Sequence, residues 1–482
     1  MPIVPLWDEG EGYRSFPISR QRRINCYIEQ RSSFSNYSIQ GPDKSPIALY
    51  GTHGLTLFAN IGSAPVRGAR TVLSTSTSYL VAGNTVYLIN PAGVTTVIGT
   101  IATNSGRVSM TDNGTQLLLV DGGTPVGGYI IVIATGVMTP IGDTNFPDGA
   151  TTATFLGGYF IVNKVGTGQF WWLNVYDGTT WNALQFATAE YDPDNLLAVS
   201  VSQGQLQLWG ERTIELWQLS GDSRIFARIG GSGVEWGLGS VFSIDRFGDN
   251  MIYLAHNRMG QFQVAILSGA TSTPVSTAEV EYDLNQQSSL SGATAYSYLY
   301  FGHLMYQINF AAKSYLYDGT SNAWSEVGSN PLGIYPPGRH YGEVRFELNA
   351  IPYVTDYRNG NIYKVDAFNF TDNGDPIIFE ADMKHVFEPN LGFQTIDEFQ
   401  MDMETGVGTQ TGQGVNPQIM FSVSRDGGRT FGNERQLAIG AQGAYYNKCF
   451  ALGLGCSRDF VAKIKISDPV KRAFANAQLR VR

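Results

Sequence analysis

A chain of 482 residues is too long for one ordinary hydrophobic core and implies two or three domains or a large repeat array. With 56 Gly, 25 Tyr and 26 Phe against 15% charged residues, turns and aromatics displace the Lys/Glu-rich blocks that build helices, and an all-β protein is expected. A net charge of −9 excludes a sequence-independent nucleic-acid binder, which needs a basic surface to displace counterions from phosphate. The dense early basic cluster is confined to Arg20, Arg22 and Arg23.

Cys26, Cys449 and Cys456 form an odd set without paired spacing, which argues for a reducing compartment and against a disulfide scaffold. The opening MPIVPLWDEGEGYR has no basic start followed by an apolar stretch, so no signal peptide is expected. The longest apolar segments, such as Tyr129 to Ile133, are strand-sized and fall far short of the ~20 residues that span a bilayer. A soluble protein made in a cytoplasm, without membrane contact, is the expectation.

Residues 1–50, rich in Pro, Ser, Arg and Asn, read as an extended N-terminal arm. Its aromatics (Trp7, Tyr13, Phe16, Tyr27) favour an ordered arm packed on another surface, such as a neighbouring subunit, over a loose terminus. From Leu49 short strands follow closely. Thr71 to Val81, Thr85 to Asn90 and Val94 to Ile98 are separated by Gly83-Asn84 and Pro91-Ala92-Gly93. Arg107 to Met110 and Gln116 to Val120 flank Asp112-Asn113-Gly114, whose Asn-Gly pair tolerates the positive φ of a tight hairpin. Tyr159 to Asn163 pairs with Phe170 to Val175, and Gln205 to Trp209 alternates with period two before the turn and return strand of GERTIELW, Gly210 to Trp217. In that hairpin Gly210 leads the turn, Thr213 closes it, Ile214 and Leu216 share one face, and Glu215 and Trp217 share the other.

Tyr176-Asp177-Gly178-Thr179-Thr180-Trp181 recurs as Tyr317-Asp318-Gly319-Thr320 followed by Trp324, and the two Tyr lie 141 residues apart. A four-stranded propeller blade takes ~40–50 residues, so the interval is close to three blades. Two such ends placed opposite one another favour a six-bladed β-propeller over residues 51–370, with seven blades or a tandem of β-sandwiches left open. Met251 to Leu254 with Phe262 to Leu267, Ser297 to Phe301 with Met305 to Phe310, and Pro352 to Asp356 with Ile362 to Asp366 continue the pattern. Helix is expected at most as short turns in Thr277 to Asn285 and parts of 186–200. After 371, the longer alternating strands Ile377 to Met383, Thr395 to Met403 and Gln418 to Val423 mark a separate antiparallel, sandwich-like C-terminal domain, 371–482.

The most motif-like segment is Ser424-Arg425-Asp426-Gly427-Gly428-Arg429-Thr430-Phe431, which fits the Asp-box pattern S-x-D-x-G-x-T-[FW]. Its expected role is structural: Asp426 bonds turn amides framed by Ser424 and Thr430, Gly428 takes a strained backbone, and Phe431 tucks beneath. The adjacent carboxylates Asp192/Asp194 and Asp397/Glu398 invite a glycosidase reading, but neighbours on a strand face opposite ways and solvated loop acids fit better. His53, His256, His303, His340 and His385 are scattered without metal-ligand spacing. The Gly122-Gly123 and Gly230-Gly231 pairs lie among strands and read as turns, not phosphate loops. No catalytic, metal or cofactor site is expected.

With those stretches in place the chain resembles the packaged-DNA stabilisation protein, or tail hub and nozzle, of short-tailed bacteriophages. The resemblance rests on SGRVSMTDNGTQLLLVDGG (Ser105 to Gly123), GERTIELW, PVSTAEVEYDL (Pro274 to Leu284), Arg425 to Phe431 and the closing Gly455 to Arg482, in that order. Residues 1–50 carry least of it. It implies a homohexameric ring in the virion tail, below the portal and its adaptor protein, in contact with tail fibre or tailspike and tail needle or plug proteins. That ring would hold packaged DNA and pass it without tight binding, after assembly in the host cytoplasm. Two other classes stay open: a glycan-binding or glycan-cleaving propeller of the sialidase or tailspike kind, and a monomeric scaffold propeller that binds peptides.

Overall fold

The computed structural model describes residues 3–4, 18–19, 21–30, 47–125, 127–173, 176–221, 225–287, 289–387, 390 and 392–481. Trp7, Tyr13 and Phe16 of the arm lie outside them. Nearly all regular structure is antiparallel strand, as the turn-rich, aromatic composition requires. Four-stranded meanders occupy 66–100, 109–140, 153–188 and 196–228, and a fifth sheet covers 237–274 with its first edge split into Gly237–Leu238 and Asp245–Phe247. A sixth meander spans 294–327. The next sheet is composite: Gly342–Leu348, Ile351–Asp356 and Asn361–Asp366 take their fourth strand, Gly54–Asn60, from the other end of the propeller.

These are seven blades, not six. Apolar residues fill each seam between consecutive blades, and the seam that closes the ring packs Val66, Leu80 and Ile89 of blade 1 against Val344, Phe346 and Leu348 of blade 7. Tyr176 and Tyr317 do lie three blades apart, in blades 3 and 6. Their spacing fixes the pitch of the array but not its total. The missing blade is assembled from segments that meet only on folding, which leaves no contiguous four-strand signature. Pairing first and last segments in one sheet lets the blade's own hydrogen bonds lock the ring.

Two local expectations change. A turn at 73–76 divides the expected run Thr71 to Val81 into Val66–Val72 and Thr77–Ala82. Segment 186–200 contributes strands Phe186–Thr188 and Leu196–Ser202 and no helical turn. An α-helix does form at Ala278–Asn285, where Thr277 accepts the Val280 amide as N-cap and Glu279 and Glu281 sit in the first turn.

The C-terminal part is a two-layer sandwich. One layer orders Cys26–Gln30, Ile47–Gly51, Ala473–Val481, Gln394–Met403 and Cys449–Ser457; the other contains Phe379–Asp382, Asp459–Ile466, Gln418–Ser424 and Arg435–Ala438. Ile28, Leu49, Phe379, Phe399, Phe421, Ile464, Phe474 and Leu479 form the core between them. The described part of 1–50 therefore packs on this chain's own sandwich and propeller. Strand Arg23–Ile24 goes further: it pairs with Ala323–Val327 of blade 6 on one side and Phe379–Asp382 on the other, joining blade and sandwich in one ten-stranded sheet.

Candidate functional site

The hairpin of GERTIELW is built around two carboxylates. In register, Trp209 faces Ile214 and Leu208 faces Glu215. Asp194 accepts the amides of Arg212 (2.7 Å) and Thr213 (3.1 Å), and the Thr213 hydroxyl lies 3.3 Å from the same oxygen. A Cβ on Gly210 would stand 2.6 Å from that carboxylate, which is why glycine leads the turn. Burial raises the Asp194 pKa while the two amide bonds oppose it. Asp194 is thus a turn cap rather than a solvated acid, and its neighbour Asp192 pairs with Arg258 at 3.2 Å.

Ile214 is fully buried in the seam between blades 4 and 5, and Trp217 lies in the seam between blades 3 and 4. Glu215, only 2% exposed, accepts the Tyr191 amide (2.5 Å) and the Trp217 indole N–H (2.8 Å), with Arg228 at 3.7 Å. The hairpin therefore presents one residue set to each neighbouring blade.

In the sandwich, Ser424 Oγ donates to Asp426 (2.7 Å) and accepts the Gly428 amide (2.8 Å). Asp426 also accepts the amides of Arg429 (3.0 Å) and Thr430 (2.9 Å) and the Thr430 hydroxyl (2.6 Å). These bonds hold its carboxyl well below the usual carboxylate range. Gly427 and Gly428 take φ of 69° and 83°, and Lys463 Nζ sits 4.4 Å from the centre of the Phe431 ring. Both Asp426 oxygens and the Ser424 hydroxyl are thus engaged within the turn.

Polar residues at the ends of second strands were not legible as a set. Asp121 in blade 2 accepts the Thr103 hydroxyl (2.8 Å), Asn163 in blade 3 accepts the Thr152 amide (2.9 Å) and donates to Leu197 O in blade 4, and Asn309 in blade 6 donates to Gly342 O in blade 7. Each ties a blade to the linker beside it or to the first strand of the next blade. A polar residue following an apolar strand at the blade pitch is the signal that could have found them.

Each histidine has a partner within the chain. Burial lowers His53 to about 4 and His340 to about 3; His53 packs edge-on against Tyr298 and His340 bonds Gln307 at 2.9 Å. His303 and His385 each meet a carboxylate at 2.7 Å, Asp318 and Asp459 respectively, and His256 stacks on Phe262.

Side chains cross the propeller axis at the end where the innermost strands begin. Arg107 of blade 2 meets Glu343 of blade 7 at 3.5 Å, and its guanidinium lies 5.2 Å from the Phe242 ring centre of blade 5. Glu343 also accepts from Thr294 of blade 6 (3.2 Å) and from Arg339. Residues from blades on opposite sides thus meet across the centre at that end.

A seven-bladed ring closed by a composite blade, with an appended sandwich, defines a β-propeller protein with a C-terminal β-sandwich. The chain belongs to the bacteriophage family described as "Bacteriophage P22 Gp10", its beta-propeller part matching residues 39–367 and its beta-sandwich part residues 379–482. That makes it a phage structural protein of the DNA-stabilisation, tail-hub family. Comparison with curated proteins gave no match.

Among solved structures it is similar to the extracellular domain of a putative hybrid two-component system, BT4673, from B. thetaiotaomicron, at 8% identity and TM-score 0.44. That alignment covers 76% of this chain and 45% of the other, so less than half of that protein is matched. It is also similar to the WD40 propeller domain of Doa1 (12% identity, TM-score 0.39, 64% of this chain and 97% of that one). YCF48 bound to D1 peptide gives 10% identity and TM-score 0.40 over 66% and 97%. No helix among the described residues is long and apolar enough to cross a membrane.

Proposed function

We propose that the chain assembles as six copies around one axis into the hub, or nozzle, of a short phage tail, below the portal and its adaptor. The ring forms the channel by which DNA leaves and retains the packaged genome until ejection. The observation that carries this reading is the pair of family matches, propeller then sandwich, which together run from residue 39 to 482. Arg107, Glu343 and Phe242 occupy the propeller's own axis, so DNA passes between copies and not through a single ring.

The excess of 41 acidic over 32 basic residues supports the same reading, since a strongly basic wall would hold the duplex by counterion release and stall it. Closed cyclic symmetry suits a ring of rigid subunits. The adaptor above, tailspike or fibre proteins at the flank and a needle or plug below are the partners this position requires, with assembly in the host cytoplasm. Native mass spectrometry of the purified chain mixed with its adaptor ring tests it: six copies are expected on the adaptor, and a monomer indifferent to the adaptor would overturn the reading. A glycan-cleaving alternative needs two free carboxylates on one cleft, whereas Asp192 is paired with Arg258, Asp194 caps a hairpin and Glu398 lies 3.7 Å from Arg480.

A further inference from the structure

Beside the axis, between blades 1 and 7, lies a cavity of about 240 Å³ bordered by Ala64, Pro65, Arg67, segment 104–107, Glu343 and Tyr357. From the cavity size and these borders we infer a binding site for a carboxylate carried on a short apolar body.

Arg67 organises the wall. Its five N–H groups all donate within the chain: to Gly106 O (2.6 Å), Gly83 O (2.7 Å), Thr103 O (2.8 Å), Ser105 O (2.6 Å) and Thr103 Oγ1 (2.8 Å). A trans peptide points its N–H opposite its C=O. With the carbonyls of 103, 105 and 106 turned onto the guanidinium, the amides of Asn104, Gly106 and Arg107 point away from it. None of the three donates to any atom of the described residues. Unpaired amides of neighbouring residues in a turn are a chemistry that binds anions.

Arg107 adds a fixed positive charge at the same wall. Its bond to Glu343 is long, at 3.5 Å, and Glu343 is better engaged by Arg339 and Thr294. Arg67, Arg107 and Arg339 stand here against Glu343 and Asp121, which leaves one positive charge in excess and suits a monoanion. Ala64, Pro65, Val66 and Tyr357 add apolar surface to the lining. At roughly 30 Å³ per water the space holds several waters or one small acid of branched-chain size. The carboxylate has two possible sources, a free short acid or the C-terminus of a peptide chain.

Isothermal titration of the full-length protein with isovalerate tests the assignment. Binding is expected for isovalerate and not for its uncharged amide, isovaleramide. Arg107→Gln should weaken isovalerate by about tenfold or more, and Ser105→Trp, which fills the exposed rim without changing charge, should abolish binding with an unchanged melting temperature. Should Arg107→Gln fail to fold, Ser105→Trp alone decides. Acetyl-glycyl-leucine binding tighter than isovalerate assigns the site to a chain terminus, and the reverse order assigns it to a free acid; either supports the site. No heat with either acid, equal binding of isovaleramide or of inorganic phosphate, or undiminished binding to Ser105→Trp would overturn it.

Discussion

Arg22 and Glu326 are 304 positions apart and joined by two parallel hydrogen bonds, Nε to Oε1 at 2.8 Å and Nη2 to Oε2 at 2.9 Å. The pair stands at the head of the strand that stitches blade 6 to the sandwich. Next to it Asn25, at φ 54°, donates to Gly328 O and Ile378 O and accepts the Gly328 amide. Propeller and sandwich are therefore held by a third segment that bonds both, in addition to their direct contact.

Breaking that fork should loosen the joint before it unfolds either domain. Arg22 and Glu326 are 29% and 18% exposed, so the coupling is moderate: a double-mutant cycle with Arg22→Ala and Glu326→Ala should give about 1 kcal/mol. Arg22→Lys should recover only part of it, because an ammonium cannot reproduce the two-pronged geometry. Urea unfolding followed by hydrogen exchange at 323–327 and 379–382 reads the effect, and a coupling indistinguishable from zero would show the strand holds without its side chain.

Ile214→Asp places a charge in a seam where the residue has no exposure, between Trp209, Val234 and Tyr253. A lone buried carboxylate costs several kcal/mol, enough to exhaust the stability of an ordinary domain. Purified protein should show a large fall in melting temperature, and particles made with it should fill with DNA and then lose it. Retention of the genome by such particles would show that the blade 4–5 seam does not hold the ring.

Glu215→Ala should destabilise by about 3 kcal/mol, since it strands the Tyr191 amide and the Trp217 indole N–H inside the protein. Glu215→Gln keeps an oxygen acceptor and should cost markedly less. Trp217 fluorescence against denaturant distinguishes the two; equal midpoints would mean that water takes over the carboxylate's role.

Asp426 makes its contribution in the ionised form. Its folded pKa is depressed, so this stabilisation is present above the ordinary carboxylate range and is lost as pH falls from there to the depressed folded value. Asp426→Asn should speed amide exchange at Gly428, Arg429 and Thr430 at neutral pH while leaving the global unfolding midpoint nearly unchanged, because the turn is exposed. Protection that persists in the variant would assign the turn's order to its glycines instead.

The elements that could be read from the chain are those whose evidence is local. The hairpin at 205–217 shows period-two alternation and a glycine turn, and Asn113 accepts the amides of Thr115 and Gln116 as an Asn-Gly hairpin demands. The Asp box is likewise self-contained. Blade number was not local: Leu55 and Val365 pair only after the ring closes. Strand Arg23–Ile24 is too short to show a period, and Cys449–Ser457 is masked by Gly453 and Gly455 and by a bulge opposite Ile396 and Glu398. The amides of 104–107 could not be foreseen either, because Arg67 orients that loop from outside it.

The joint between propeller and sandwich also contains a buried titratable group that gives the protein a pH signature. Asp372 accepts the Ser329 hydroxyl at 2.6 Å with one oxygen, and its other oxygen has no hydrogen-bond partner among the described residues. Arg472 is fully buried nearby, over the Phe370 ring, and donates to Ile377 O at 3.0 Å. Burial pushes the Asp372 carboxyl up to about 7, against the Ser329 bond and the Arg472 charge, which pull it down. In the unfolded chain the same group titrates near ~3.9. Between those values the native state keeps a proton that the unfolded state releases, so this group's stabilisation is complete below ~4 and is lost as pH rises to about 7, by up to about 1.4 kcal/mol per pH unit. Asp372→Asn removes the titration, so the variant should gain on the parent steadily across that interval and hold a constant advantage above it. Urea midpoints of both proteins across the range measure the difference, and a difference independent of pH would mean that Asp372 ionises in the folded protein as it does in the open chain.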